Sequence, residues 1–250
     1  MNVALAVLAV PPALALGSFL NVVAARLPEQ RSLVHPPSAC RSCGERLAWR
    51  DNVPVLSYLL LRGRCRNCGE RIGVRYLAVE ALTALLVAAC FLAFGLTADA
   101  FIAAFFVSVL VVLSAIDVEH RILPDKIVLP SAAVVLAAQL AVHPDQALEW
   151  VLGALGASLF LFVALLAYPK GMGMGDVKLC LLLGAALGQL VVVGLMLGML
   201  AALVPAVVLV ARHGAAARKM AIPFGPFLAF GAVLALFFGE PLLDAYVGAL

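Results

Sequence analysis

Cys40, Cys43, Cys65 and Cys68 form the pattern C-x2-C-x21-C-x2-C. Two pairs at that spacing supply four thiolates to one tetrahedral metal ion, for which zinc is the leading candidate. Each pair opens a near-copy of the same stretch, CRSCGER at Cys40 and CRNCGER at Cys65, on the longer pattern C-R-x-C-G-E-R-x-x-x-R. Gly44 and Gly69 follow the pairs. Glycine there permits the tight turn that lets backbone N–H groups approach the sulfurs. The surrounding arginines favour thiolate over thiol. Four protein ligands close the coordination sphere, so the expected metal is structural, not catalytic. A rubredoxin-like iron site also fits four cysteines, although an arginine-rich loop suggests no redox task. The bland alternative, two disulfides or free thiols, conflicts in its first form with a reducing compartment. Cys90 and Cys180 lie within apolar runs and read as small core residues.

Two aspartates carry a second kind of chemistry. Asp117 lies in SAIDVEHRILPD and Asp176 in YPKGMGMGDVKL, each at the edge of an apolar run. Ionisable groups at such positions are costly enough to suggest function. Facing carboxyls can share one proton, because adjacent like charges resist double ionisation. One then activates a water while the other protonates the scissile carbonyl or the leaving amine. The alternating Gly171, Gly173 and Gly175 before Asp176 are expected to break helical structure and let another backbone come close. Taken singly, each aspartate is also explained as an interfacial residue or a helix cap. The helix dipole sets them apart: Asp117 closes a helix and Asp176 opens one, which predicts Asp117 as the protonated partner.

The elements that must position these groups are membrane spans. Hydrophobic residues make up 65% of the 250-residue chain and charged residues only 12%, about half the charge of a soluble domain. The expected fold is an all-α polytopic membrane protein of about eight transmembrane helices, roughly 3–25, 77–96, 98–116, 127–142, 149–168, 177–188, 190–211 and 222–239. The first run lacks a basic n-region and is expected to be a retained span, not a cleaved signal. The stretch 177–211 is too long for one helix across ~30 Å of hydrocarbon, and Gly184, Gly188 and Gln189 mark the expected turn. Threading eight spans puts all 17 Lys and Arg on one side, ten of them as arginines in loop 26–76. Basic residues near span ends stay cytoplasmic. Loop 26–76 and both aspartates are therefore expected to face the cytoplasm, with both termini outside it. Topology accounts for the basic residues, so no nucleic-acid partner is expected.

These residues resemble a known family, the type IV prepilin peptidases, leader peptidases of type IV pili and type II secretion with a GxGD aspartic-protease motif. The matches are GSFLNVVAARLP (17–28), the four-cysteine loop ending in RYLAVEALTALL (75–86), IDVEHRILPD (116–125), GMGDVKL (173–179) and IPFGPFLAF (222–230). The resemblance implies cleavage of the basic leader of prepilins or pseudopilins at the inner membrane. It further implies N-methylation of the new N-terminal residue with S-adenosylmethionine. Asp117 and Asp176 correspond to the family's catalytic pair, with Gly173, Gly175 and Lys178 in the surrounding motif. The cysteines correspond to its metal tetrad, linked to the methyltransferase part. The implied organisation is a first helix (1–25), a zinc-binding loop (26–76) and a membrane peptidase domain (77–250). Two departures are visible: C-R-S-C where Pro often follows the first Cys, and Tyr-Leu after Arg75 where Tyr-Pro is common. No motif marks a methyl-donor pocket, and Arg75 and Glu80 are candidates by position only. Two other classes stay open from the residues alone, a proton- or cation-coupled transporter and an assembly subunit that docks through the loop. Membrane lipid is the expected surround, and the oligomeric state is not set by the sequence.

Overall fold

The structure is a computed structural model that describes residues 1–40, 42–51, 53–169, 172–214 and 222–247. Arg41, Lys170, Gly171, Arg218 and Lys219, which entered the charge and glycine arguments above, lie outside the described residues. The chain divides into two compact units, Met1–Ile116 and Asp117–Leu250.

In the first unit, α1 (Asn2–Arg26) packs on α3 (Val74–Phe94). The short α2 (Leu56–Leu60) lies in the loop between them. Without a hydrophobic drive inside lipid, small residues allow helices to approach. Gly17 is such a point: a Cβ there would come within 2.8 Å of the Glu80 Cα. Side-chain amides fasten the pair at both ends. Asn2 Nδ2 donates to Leu92 O at 3.2 Å and Asn21 Nδ2 donates to Tyr76 O at 3.0 Å, so the two helices run antiparallel. The next helix, α4 (Ala98–His120), carries the chain out of this unit and ends in the second.

The second unit holds α5 (Asp125–Val142), α6 (Ala147–Ala167), α7 (Met174–Leu187), α8 (Val191–His213) and α9 (Gly225–Val247). At its centre is α7, packed against α5, α6 and α9. Leu179, Leu182 and Leu183 on α7 are fully buried. With 14 residues it is about 21 Å long, well short of a ~30 Å hydrocarbon core. The expected short span is thus present. The turn that ends it is the 3-10 segment Gly188–Leu190, where Gly188 takes φ 54°. Gly184 is not part of that turn. It lies inside α7 and faces Gly153 of α6 so closely that an added Cβ would collide with the Gly153 carbonyl. Gly231 of α9 meets Gly194 and Gly198 of α8 in the same manner.

Seven stretches are long and apolar enough to cross a membrane, one of them Met174–His213 counted whole. Broken at Gly188, that stretch gives two helices and restores the eight spans expected. The protein is an all-helical, multi-pass membrane protein. Among the described residues, β-type pairing is confined to two isolated bridges, Ala39 with Arg46 and Arg64 with Arg71. Overpacking a close helix crossing costs about 1–3 kcal/mol or more. Gly184→Ala is therefore expected to lower the unfolding midpoint in detergent, or to prevent accumulation. Gly156→Ala, on the same helix pair but with no atom within 4 Å of an added Cβ, is the neutral control.

Candidate active site and metal centre

Asp117 and Asp176 both belong to the second unit and are nearly buried, at 6% and 9% exposure. Asp117 sits one turn before the end of α4, which runs three residues beyond it, to His120. Its Oδ2 accepts a 2.9 Å hydrogen bond from the Gly225 backbone N–H. Gly225 is the first residue of α9, so its N–H is one of the donors that no helical carbonyl can use. Asp176 is the third residue of α7, and its Oδ2 accepts the Gly173 N–H at 3.2 Å. This is the carboxylate half of a capping box. The two carboxyls are near enough for their charges to interact. Each accepts one backbone N–H, but the positive charge of Arg121 acts on Asp117 and not on Asp176, which opposes the helix-end argument for a protonated Asp117.

Leu123 packs against both Gly175 and Gly225. A Cβ on Gly175 would come within 3.1 Å of Leu123, and one on Gly225 within 3.4 Å. Of the glycines before Asp176, Gly173 and Gly175 act in two different ways. Gly173 is extended (φ −95°, ψ 154°) and precedes the helix. Gly175 is already in the first turn of α7, and its lack of a side chain accommodates Leu123. Lys178, one turn below, reaches back to α5 and bonds both Asp125 oxygens at 2.8 and 2.7 Å. Asp125 is thus paired with Lys178 across the α5–α7 contact.

Sequence reasoning missed the support for Asp117, because a backbone donor leaves no side-chain signature. The available signal was Gly-Pro at the head of a span, in the motif IPFGPFLAF. A Cβ on Gly225 would sit 2.9 Å from Asp117 Oδ2. Displacement of a reacting group by about 1 Å costs roughly a hundredfold. Gly225→Ala is expected to lower kcat by about that factor while leaving expression intact. A kcat within twofold of the parent in a peptide-cleavage assay would contradict the geometry.

The four expected metal ligands converge in the first unit. The Sγ atoms of Cys40, Cys43, Cys65 and Cys68 all lie within 4.8 Å of one another, and Cys40 and Cys68 are 3.7 Å apart. A tetrahedral zinc with Zn–S of ~2.3 Å requires S···S of about 3.8 Å. All four are free cysteines, not disulfides. The repeat in sequence is a repeat in structure. Cys40 N–H bonds Glu45 O at 2.9 Å and Gly44 N–H bonds Cys40 O at 3.0 Å. Cys65 N–H bonds Glu70 O at 2.8 Å and Gly69 N–H bonds Cys65 O at 2.9 Å. Gly44 and Gly69 share φ 72°, a left-handed conformation that favours glycine. Arg66, inside the second knuckle, forks onto Asp51 with contacts of 2.7, 3.0 and 3.1 Å. That pair holds the Asp51 carboxyl below its usual range.

The sulfurs titrate unequally. Backbone hydrogen bonds from Cys43 and Ser42 pull the Cys40 thiol down to about 6. At Cys68 a backbone hydrogen bond from Glu70 acts downward. Desolvation and the three neighbouring thiols outweigh it and push the thiol up to about 12. Four crowded sulfurs cannot all ionise without a cation among them. The donor set, the spacing and this resistance fit a divalent thiophilic metal.

A second polar group lies in the first unit, and the positional candidate Glu80 is its centre. Glu80 Oε2 accepts the Val55 N–H at 2.8 Å. Ser18 and Asn21, from α1, face the same carboxylate. Val55 is held at φ 61°, ψ −52°, and Leu56 N–H bonds Pro54 O at 2.6 Å across it. This is a γ-turn of the rare, strained hand, occupied by a β-branched residue. Arg75, the other positional candidate, places its guanidinium 5.3 Å from the centroid of the Tyr76 ring.

Residues 12–94 match the family described as the Bacterial Peptidase A24 N-terminal domain, and residues 104–211 match the Type IV leader peptidase family. The chain is 33% identical over 244 residues to the prepilin leader peptidase/N-methyltransferase of Bacillus subtilis (strain 168), covering 94% of each. It is 34% identical to the protein so named in Pseudomonas aeruginosa strain PAO1, over 94% of this chain and 90% of that one. For Burkholderia pseudomallei strain 1026b the identity is 35%, over 91% and 84%. No solved structure matches. With both stretches matched in succession and relatives aligned nearly end to end, the chain belongs to the type IV leader peptidase family.

Proposed function

We propose that this chain removes the basic leader of type IV prepilins or pseudopilins with Asp117 and Asp176, then N-methylates the new N-terminal residue. The observation that carries the peptidase reading is the pair of nearly buried carboxyls, each held by one backbone N–H, from Gly225 and Gly173. One carboxylate takes a proton from water as its oxygen attacks the scissile carbonyl. The other, protonated, gives its proton to the developing oxyanion. Collapse then breaks the C–N bond, and the leaving amine receives a proton from the pair. Gly225 and Gly173 keep the carboxyls aimed.

The names of the relatives, prepilin leader peptidase/N-methyltransferase, support the second activity. S-adenosylmethionine is the methyl donor in this reading and supplies an electrophilic methyl group on sulfonium. Cys40, Cys43, Cys65 and Cys68 hold one zinc ion as a structural clamp on loop 26–76. The segregation of basic residues supports a bacterial inner-membrane protein whose loop and aspartates face the cytoplasm, with both termini periplasmic. The test is incubation of the purified full chain with a prepilin and S-adenosylmethionine, read by mass spectrometry. The expected product lacks the leader and carries an added methyl group, about 14 Da, on its new N-terminus. An intact prepilin would overturn the peptidase reading, and a cleaved but unmodified one would remove the methyltransferase reading alone.

A further inference from the structure

Asn21 is 4% exposed, and among the described residues its Oδ1 has no hydrogen-bond donor. Its Nδ2 is committed to Tyr76 O. Buried side-chain acceptors are nearly always satisfied, and each exception asks for an explanation. The same amide and the Ser18 hydroxyl hydrogen-bond Glu80, whose Oε2 also accepts the Val55 N–H at 2.8 Å. A carboxyl group and an orphan amide oxygen therefore meet at one place on the α1–α3 seam. Both are acceptors. The complementary ligand is a cation with several N–H donors and no acceptor. A primary ammonium meets that description, since –NH3+ has three donors. The same carboxylate pins the strained γ-turn at Val55, and unfavourable backbone conformations held by their surroundings cluster at functional sites.

We propose that Glu80 and Asn21 form a recognition site for an α-ammonium group. The proposal rests on the methyltransferase reading, which offers two sources of that chemistry: the N-terminus freed by cleavage, and the amino-acid end of the methyl donor. Glu80 supplies the charge and Asn21 Oδ1 a directed acceptor. Ser18 offers a third polar contact from the same face of α1. Gly17 lets α1 lie against the Glu80 backbone, which brings the α1 acceptors to the carboxylate.

The test measures binding to the purified full chain by calorimetry, with two ligand pairs. One is a peptide beginning with Phe, free or N-acetylated. The other is S-adenosylhomocysteine, free or N-acetylated. In the parent protein, acetylation is expected to weaken binding at least tenfold in one pair. Glu80→Gln, which keeps an acceptor for Val55 N–H, should erase that difference while the acetylated ligand binds as before. Asn21→Leu, which removes the orphan oxygen without emptying its space, is the second variant should Glu80→Gln fail to fold. A difference in the peptide pair assigns the site to the new N-terminus; one in the nucleoside pair assigns it to the donor. If acetylation costs nothing in either pair, or if both variants preserve the difference, the proposal is overturned. Methylated product without amine-dependent binding would sink this site and leave the methyltransferase reading standing.

Discussion

Asp117→Asn and Asp176→Asn are each expected to lower prepilin cleavage by at least about 10²–10⁴-fold, the range attached to a lost general acid or base. Asparagine keeps the shape and can still accept the N–H of Gly225 or Gly173, but it cannot exchange a proton. The two substitutions should not add. Groups that act as one unit lose nearly everything with the first removal, so the double variant is expected to be no slower than the worse single one. The fold supplies the control. α7 is held by α5, α6 and α9 through leucines and close glycine contacts that the substitution does not touch, so the unfolding midpoint should move by less than the Gly184→Ala variant moves it. A transporter with relay aspartates would show no cleavage in any version, parent included. An assembly subunit would retain its function in the double variant. Cleavage by either single variant within tenfold of the parent would remove the dyad from the chemistry.

Loss of the metal has the second largest expected effect. Apparent binding energies for structural zinc reach about 10–16 kcal/mol at neutral pH, which exceeds the whole stability of many domains. Cys68→Ser, or a strong chelator, is expected to bring metal content from about one ion per chain to near none, a change read by elemental analysis. Loop 26–76 should then become sensitive to trypsin at its arginines. Methylation should fall with it, while peptide cleavage, which draws on Asp117 and Asp176 in the other unit, falls much less. The pH dependence has a definite sign. The metal-bound site holds four thiolates, whereas the metal-free Cys68 thiol is pushed up to about 12 and so carries a proton at neutral pH. Metal uptake must displace protons, and affinity must drop as pH falls. Metal that stays bound equally well from neutral to mildly acidic pH would contradict the four-thiolate site.

The parts of this molecule that could be read from residues alone were those with a high cost of misplacement. Charged groups in an apolar run are expensive, so Asp117 and Asp176 stood out. The spacing of four cysteines restricts them to few geometries, and the sulfurs do converge. The parts that could not be read lie in backbone atoms or in long-range pairs. Gly225 acts on Asp117 across 108 residues through an N–H that every residue but proline owns. Lys178 finds Asp125 across 53 residues, and no local pattern announces it. Gly184 and Gly188 look alike in sequence, as small residues in an apolar run. One packs against Gly153 and the other turns the chain, a difference decided only by what lies opposite. Glu80 could be singled out by position, but its meeting with Asn21 depends on the α1–α3 crossing.

The two matching knuckles also set a schedule. Each holds its own turn together with two backbone hydrogen bonds, yet each brings only two sulfurs. Translation is vectorial, and at about 5–20 residues per second the second pair follows the first, 25 residues later, by about 1–5 s. Until then Cys40 and Cys43 wait at the ribosome exit as half a ligand set. Cys68 completes the set, and Val74, the first residue of α3, comes six residues after it. The four-sulfur set is therefore complete in the interval between synthesis of α1 and synthesis of its partner α3. The ligand set thus precedes the first helix pair it sits between.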